Sequence, residues 1–88
     1  MQSSNKRAMT SAERGHVARI KSMDCCVCGA HGPSDAHEIE QGLWWVSLPL
    51  CSSCHTGPQG WHGDKSHWRV RKLDEIKALN ETLRKLLK

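Results

Sequence analysis

Apolar and polar positions fall into three regimes along the chain. Ala12, Val17, Ala18 and Ile20 recur at helical spacing, and Thr10 followed three residues later by Glu13 has the form of a capping box, so a helix is predicted over about 11–22. From 23 to 64 that period disappears. This stretch is rich in Gly, Pro, Ser, His and Cys and offers only two short candidate strands, near 35–39 and 43–48. From Ser66 onward Val70, Leu73, Ile76, Leu79, Leu83, Leu86 and Leu87 return at intervals of three and four, which predicts one long amphipathic C-terminal helix. Asp74 with Lys77 and Glu81 with Lys85 would pair along its polar side. Residues 1–9, "MQSSNKRAM", are polar and aperiodic and read as a disordered arm, which leaves 10–88 as a single domain.

A chain of 88 residues buries only about 60–65% of its unfolded surface, so its apolar core alone gives marginal stability. Something must brace the aperiodic middle. No apolar run is long enough to span a bilayer, and the N-terminal stretch lacks the apolar core of a signal peptide, so no membrane association and a cytoplasmic setting are expected. In a reducing compartment, five cysteines suit metal ligation better than disulfides, and the odd count agrees.

Cys25 and Cys28 form one C-x2-C knuckle and Cys51 and Cys54 another, separated by 22 residues. That spacing is close to the zinc-ribbon range, and two knuckles complete a tetrahedral tetrathiolate site. A structural Zn2+ there would contribute folding free energy of about 10–16 kcal/mol, by comparison with zinc-finger peptides. A closed tetrathiolate has no open coordination position, so any chemistry must come from other residues. Cys26 is the leftover thiol.

The formal charge of +4, from 13 basic and 9 acidic residues, and a pI of about 9.0 favour a polyanionic partner, and the basic residues sit mainly toward the two ends. Lys6, Arg7, Arg69, Arg71 and Lys72, with Arg84 and Lys85 behind them, are the candidate phosphate contacts. With no Phe or Tyr and four Trp, the chain is poorly equipped to stack single-stranded bases. Trp44, Trp45 and Trp61 are expected in core and hairpin packing, and Trp68 is expected to hold the last helix on the core.

Once the thiolates are assigned, His37, Glu38, His55 and His62 remain in "AHEIEQG", "LPLCSSCH" and "GWHG". With the first knuckle ahead of them, these motifs resemble the zinc-knuckle branch of the HNH, or His-Me finger, endonucleases, most closely small phage-type nucleases of the RecA-dependent recombination-enhancement kind. The resemblance covers residues 25–63. It implies an α+β fold with a zinc-stabilised ββα-metal core, and a metal-dependent DNA endonuclease that hydrolyses phosphodiester bonds. It also implies a catalytic divalent ion, Mg2+ or Mn2+, on His55 and His62, with His37 as general base and Glu38 as acidic partner; in the other alignment, with Ile39 on the family's aliphatic residue, His37 falls on the metal-ligand place and Glu38 on the base. DNA is the implied substrate, a recombination or replication protein a candidate partner, and a monomer or weak dimer the expected state. The family's central asparagine has no counterpart, since Val46 and Ser47 stand near its place.

Two tensions are legible at this level. Successive strand residues face opposite sides, so His37 and Glu38 can share one site only if the hairpin bulges. His55 and His62 would lie two turns apart on an unbroken helix, but "GPQG" at 57–60 breaks it, so they must converge through a turn. His16, His31 and His67 are expected at the surface, and Asp35, Glu40 and Asp64 as supporting or solvated acids. The alternative reading is a non-catalytic zinc module that binds nucleic acid or protein. It would use the thiolates and the basic ends, not the histidines.

Overall fold

The computed structural model describes residues 8–88. Lys6, Arg7 and the first seven positions of the expected N-terminal arm lie outside the described residues. The order of elements is α1 (Ser11–Lys21), β1 (Asp35–Glu38), β2 (Ser47–Leu50), α2 (Ser52–His55), α3 (Ser66–Arg69) and α4 (Glu75–Leu86), a small α+β domain.

Helix α1 starts where its capping box requires. The Thr10 hydroxyl accepts from the Glu13 N–H at 3.1 Å and the Glu13 carboxylate accepts from the Thr10 N–H at 2.8 Å. Val17 and Ile20 are its buried face. The antiparallel hairpin β1–β2 pairs Asp35 with Leu50, Ala36 with Pro49, His37 with Leu48 and Glu38 with Ser47. All four residues of β2 are buried, because α1 and α4 both pack on this short sheet. The core joins Leu48, Leu50, Trp68 and Ala78 to Cys25 and Cys54, so the cysteine cluster is continuous with the apolar interior.

Several expectations need correction. The second strand runs over Ser47–Leu50 instead of 43–48. Residues 43–46 instead turn back at the hairpin tip, with Leu43 N–H on Glu40 O and Val46 N–H on Leu43 O. Strand propensity in "LWWV" yields to the register that buries Leu48 and Leu50, and Trp45 is left 51% exposed with its ring 4.9 Å from that of His16. Trp45 is therefore not core, and His16 is half-buried beneath it, not a free surface residue.

The long C-terminal helix is interrupted. Helix α3 ends after one turn in a Schellman arrangement: Leu73 N–H bonds to Trp68 O at 3.1 Å and Lys72 N–H to Arg69 O at 2.9 Å, with Lys72 left-handed at φ 56. Asp74 then caps α4 by accepting from Lys77 N–H at 2.8 Å. A competent N-cap four residues before Ala78 starts a new helix where apolar spacing suggests continuity. In addition, α4 turns its small residues inward. Ala78 and Thr82 are fully buried and Leu79 packs partly buried against the core, whereas Ile76 is 68% and Leu87 81% exposed. Glu81 pairs with Arg84 at 2.8 Å, not with Lys85.

Candidate metal centres

The first knuckle is a tight turn after α1. Cys25 N–H bonds to Ala30 O, Gly29 N–H to Cys25 O, and Cys26 N–H to Pro49 O at 2.9 Å, which fastens the turn to the outer edge of β2. The second knuckle is α2 itself, with Cys51 at its N-cap and Cys54 buried within it. The four sulfur atoms all lie within 4.8 Å of one another. Cys28 Sγ and Cys51 Sγ are 3.6 Å apart, near the edge of about 3.8 Å for a tetrahedron with zinc–sulfur bonds of about 2.3 Å. No disulfide forms among the described residues.

The electrostatics of this cluster suit a cation. Burial raises the Cys25 thiol, but N–H donors of Cys28, Cys51 and Val27 outweigh it and bring the pKa down to about 7. Cys54 is pushed well above its ordinary range by burial and by the neighbouring Cys25 charge, and burial likewise raises Cys51. One thiolate is thus favoured and further ones are opposed, unless a divalent ion supplies the missing charge. Burial also pushes Cys26 up to about 11, against a hydrogen bond with Thr82, so it stays a thiol outside the cluster. The four cysteines form a site that could hold structural zinc, as their spacing predicts.

A second cluster is formed by three histidines. His37 projects from β1, His55 is the last residue of α2, and His62 belongs to the loop that follows. Their ring centroids are 5.1 Å (37–55), 5.2 Å (37–62) and 5.0 Å (55–62) apart. One nitrogen from each lies within 4.8 Å of the others. The loop reaches this position by folding onto α2: Trp61 N–H bonds to Cys54 O at 2.8 Å and His62 N–H to His55 O at 3.0 Å. Two glycines permit it. A Cβ on Gly60 would sit 2.7 Å from Cys54 C, and one on Gly63 would sit 2.2 Å from Pro58 O. "GPQG" therefore makes the expected turn, and it brings the two histidines together.

Two of the three imidazoles have a carboxylate behind them. His37 Nε2 is 2.6 Å from Glu75 Oε2 and His55 Nδ1 is 3.0 Å from Asp35 Oδ2. Desolvation, followed by the charges of His55 and His37, holds His62 below the ordinary histidine pKa, a direction that favours the neutral form that ligates metal. The cluster opens into a cleft of about 480 Å³ lined by Ala36, His37, Glu38, Ile39, Gln41, His55, Trp61, His62 and Glu75.

No protein-family model, no characterised protein and no solved structure matches the chain.

The expected residues separate into two groups. His37, His55 and His62 meet. Glu38 reaches the cleft's edge, but its Oε1 accepts from Gly42 N–H at 2.7 Å and braces the hairpin turn, as the unbulged pairing of β1 requires. Arg69, Arg71 and Lys72 are exposed around the α3 turn, where Arg69 donates to Asp64 O and Arg71 donates to His67 O at 2.8 Å. Glu75 was not among the expected site residues. It lies 38 positions from His37, and its only local signal is its place directly after the Asp74 cap. Lys65 is a further cation near the cleft, with Nζ 4.7 Å from the Trp61 ring centroid.

Proposed function

We propose that this protein is a zinc-braced, metal-dependent endonuclease of the ββα-metal, or HNH, type. The tetracysteine zinc is structural, and the histidine cluster carries the chemistry. The observation behind this reading is the meeting of His37, His55 and His62 at one open cleft. Three imidazoles converging from a strand, a helix end and a loop on one cleft are a donor set suited to a metal ion.

The donor set bears on the choice of ion. Imidazole suits zinc and its late transition-metal neighbours, whereas Mg2+ favours oxygen donors and keeps most of its waters. In this reading His37 is a third ligand beside His55 and His62, the second of the two alignments of "AHEI", and Mg2+ gives way to zinc, cobalt or nickel. Such an ion would lower the pKa of a water and offset charge developing on the phosphate. The protein's own groups do the rest. The three rings would hold the ion at the cleft, the two carboxylates would orient His37 and His55, and Trp61 walls one side. Lys65 and the exposed Arg69, Arg71 and Lys72 would hold a duplex through its phosphates without reading sequence, so binding should weaken steeply with salt.

The test is nicking of supercoiled plasmid by zinc-loaded protein with Zn2+, Co2+, Ni2+, Mn2+ or Mg2+ added in turn. Cleavage is expected with a transition metal, and it should vanish in His55→Ala and His62→Ala while the cysteine-bound zinc is retained. No cleavage with any of the five ions, although the histidines bind one, would favour the non-catalytic zinc module. That alternative accounts for the cysteine cluster but leaves the histidine cluster without a purpose.

A further inference from the structure

The C-terminal helix enters the histidine cleft through one residue. Glu75 is the first residue of α4, and its Oε2 lies 2.6 Å from His37 Nε2. Both partners are sheltered, with side chains 6% exposed for His37 and 19% for Glu75. The other carboxylate–histidine pair is different. Asp35 is 53% exposed, so water competes for His55. The rest of α4 is held against β2 by Ala78 and Thr82, which fixes where its first turn projects.

We propose that Glu75 is a positioning residue for the histidine cluster: it accepts the Nε2–H of His37, fixes that tautomer and ring orientation, and leaves Nδ1 as the nitrogen available to the ion. This rests on the metal-binding reading of the three histidines given above. A ligating imidazole gains basicity and loses rotational freedom when its far N–H is held by a carboxylate, and loss of such a partner typically weakens metal binding about 10–100-fold. The consequence is that the site is incomplete without α4. Residues 25–63, which carry the motifs, supply three ligands but not the group that aims the most buried of them.

The experiment uses the full chain with zinc in the cysteine cluster and Co2+ as the probe, titrated into the histidine site and followed by its visible absorption. Glu75→Gln, which keeps an acceptor but loses the charge, is expected to weaken Co2+ binding by about 10-fold, and Glu75→Ala by up to about 100-fold, both with an altered band shape. Glu81→Gln, on the same helix and paired with Arg84 away from the cleft, should bind as the parent does. Co2+ absorption that survives His55→Ala unchanged would remove the three-histidine reading itself. Absorption lost in His55→Ala yet unchanged in Glu75→Ala would remove only the role of Glu75. A loss in Glu75→Gln as complete as in His55→Ala would make Glu75 a ligand and overturn the positioning role. If Glu75→Ala does not fold, the parent protein decides: long-range proton–nitrogen NMR should show the His37 proton on Nε2, and a proton on Nδ1 would overturn the proposal.

Discussion

Replacing Trp68 with Phe tests whether the core and the histidine site share one keystone. Trp68 is 1% exposed, and its Nε1–H donates to Cys54 O at 2.8 Å. Its ring also lies 4.7 Å from that of Trp61, the residue before His62. The substitution removes a net hydrogen-bond contribution of about 0.5–1.5 kcal/mol. Cys54 O keeps the Trp61 N–H, so the acceptor is not stranded and the cost stays in that range. The indole exceeds a phenyl ring by about 40 Å³, which at about 24 cal/mol per Å³ of residual cavity adds about 1 kcal/mol. The expected total is about 2 kcal/mol. For a domain of this size that lowers the melting midpoint by roughly 8–16 °C. Trp45→Phe, at a half-exposed ring, should cost under about 0.5 kcal/mol. The assay is urea unfolding followed by far-UV circular dichroism at one fixed zinc concentration, since bound zinc contributes to apparent stability by mass action. Equal losses from the two substitutions would refute the placement of Trp68 at the centre of the fold.

Three further outcomes follow from other parts of the molecule. Cys51→Ser is expected to lose the tightly held zinc and cooperative unfolding, whereas Cys26→Ser should keep one zinc per chain by elemental analysis; equal zinc loss would show that the wrong thiols are assigned. Lys72→Gly relieves a non-glycine left-handed residue at the end of α3 and should raise stability by about 0.4–1 kcal/mol in the same urea assay; a loss of stability would contradict the Schellman ending. The folded-state pKa of His62 is lowered by burial and by His55 and His37, so as pH falls the unfolded chain takes up that proton first. Its contribution to stability is therefore full above the unfolded value near 6.5 and declines as pH falls through it. His62→Gln should flatten that part of the stability–pH curve measured without added second metal, and an unchanged slope would refute the lowered pKa.

Features that depend on residues close in sequence were legible from the sequence alone. Thr10 and Glu13 close their capping box because both partners lie within one turn. The C-x2-C knuckles announce a metal because two residues is the reach of a tight turn that aims two thiols at one point. "GPQG" announces a turn because its proline and glycines cannot continue α2, and that turn is what carries His62 back to His55. What the sequence left open depends on competition between distant surfaces. The leucines and isoleucine of the last segment mark an apolar stripe, and Leu73 and Leu79 do pack on the core, yet the fully buried positions of α4 are Ala78 and Thr82, because the tilt at which the helix lies on β2 is set by tertiary packing. The strand after the hairpin moved past "LWWV" because burial of Leu48 and Leu50 between two helices outweighs the local preference of Trp and Val. Glu75 meets His37 only because β2 holds α4 at that height, a contact across 38 residues that no spacing rule encodes. The histidines were written in the sequence, and tertiary packing alone decided which carboxylate stands behind them.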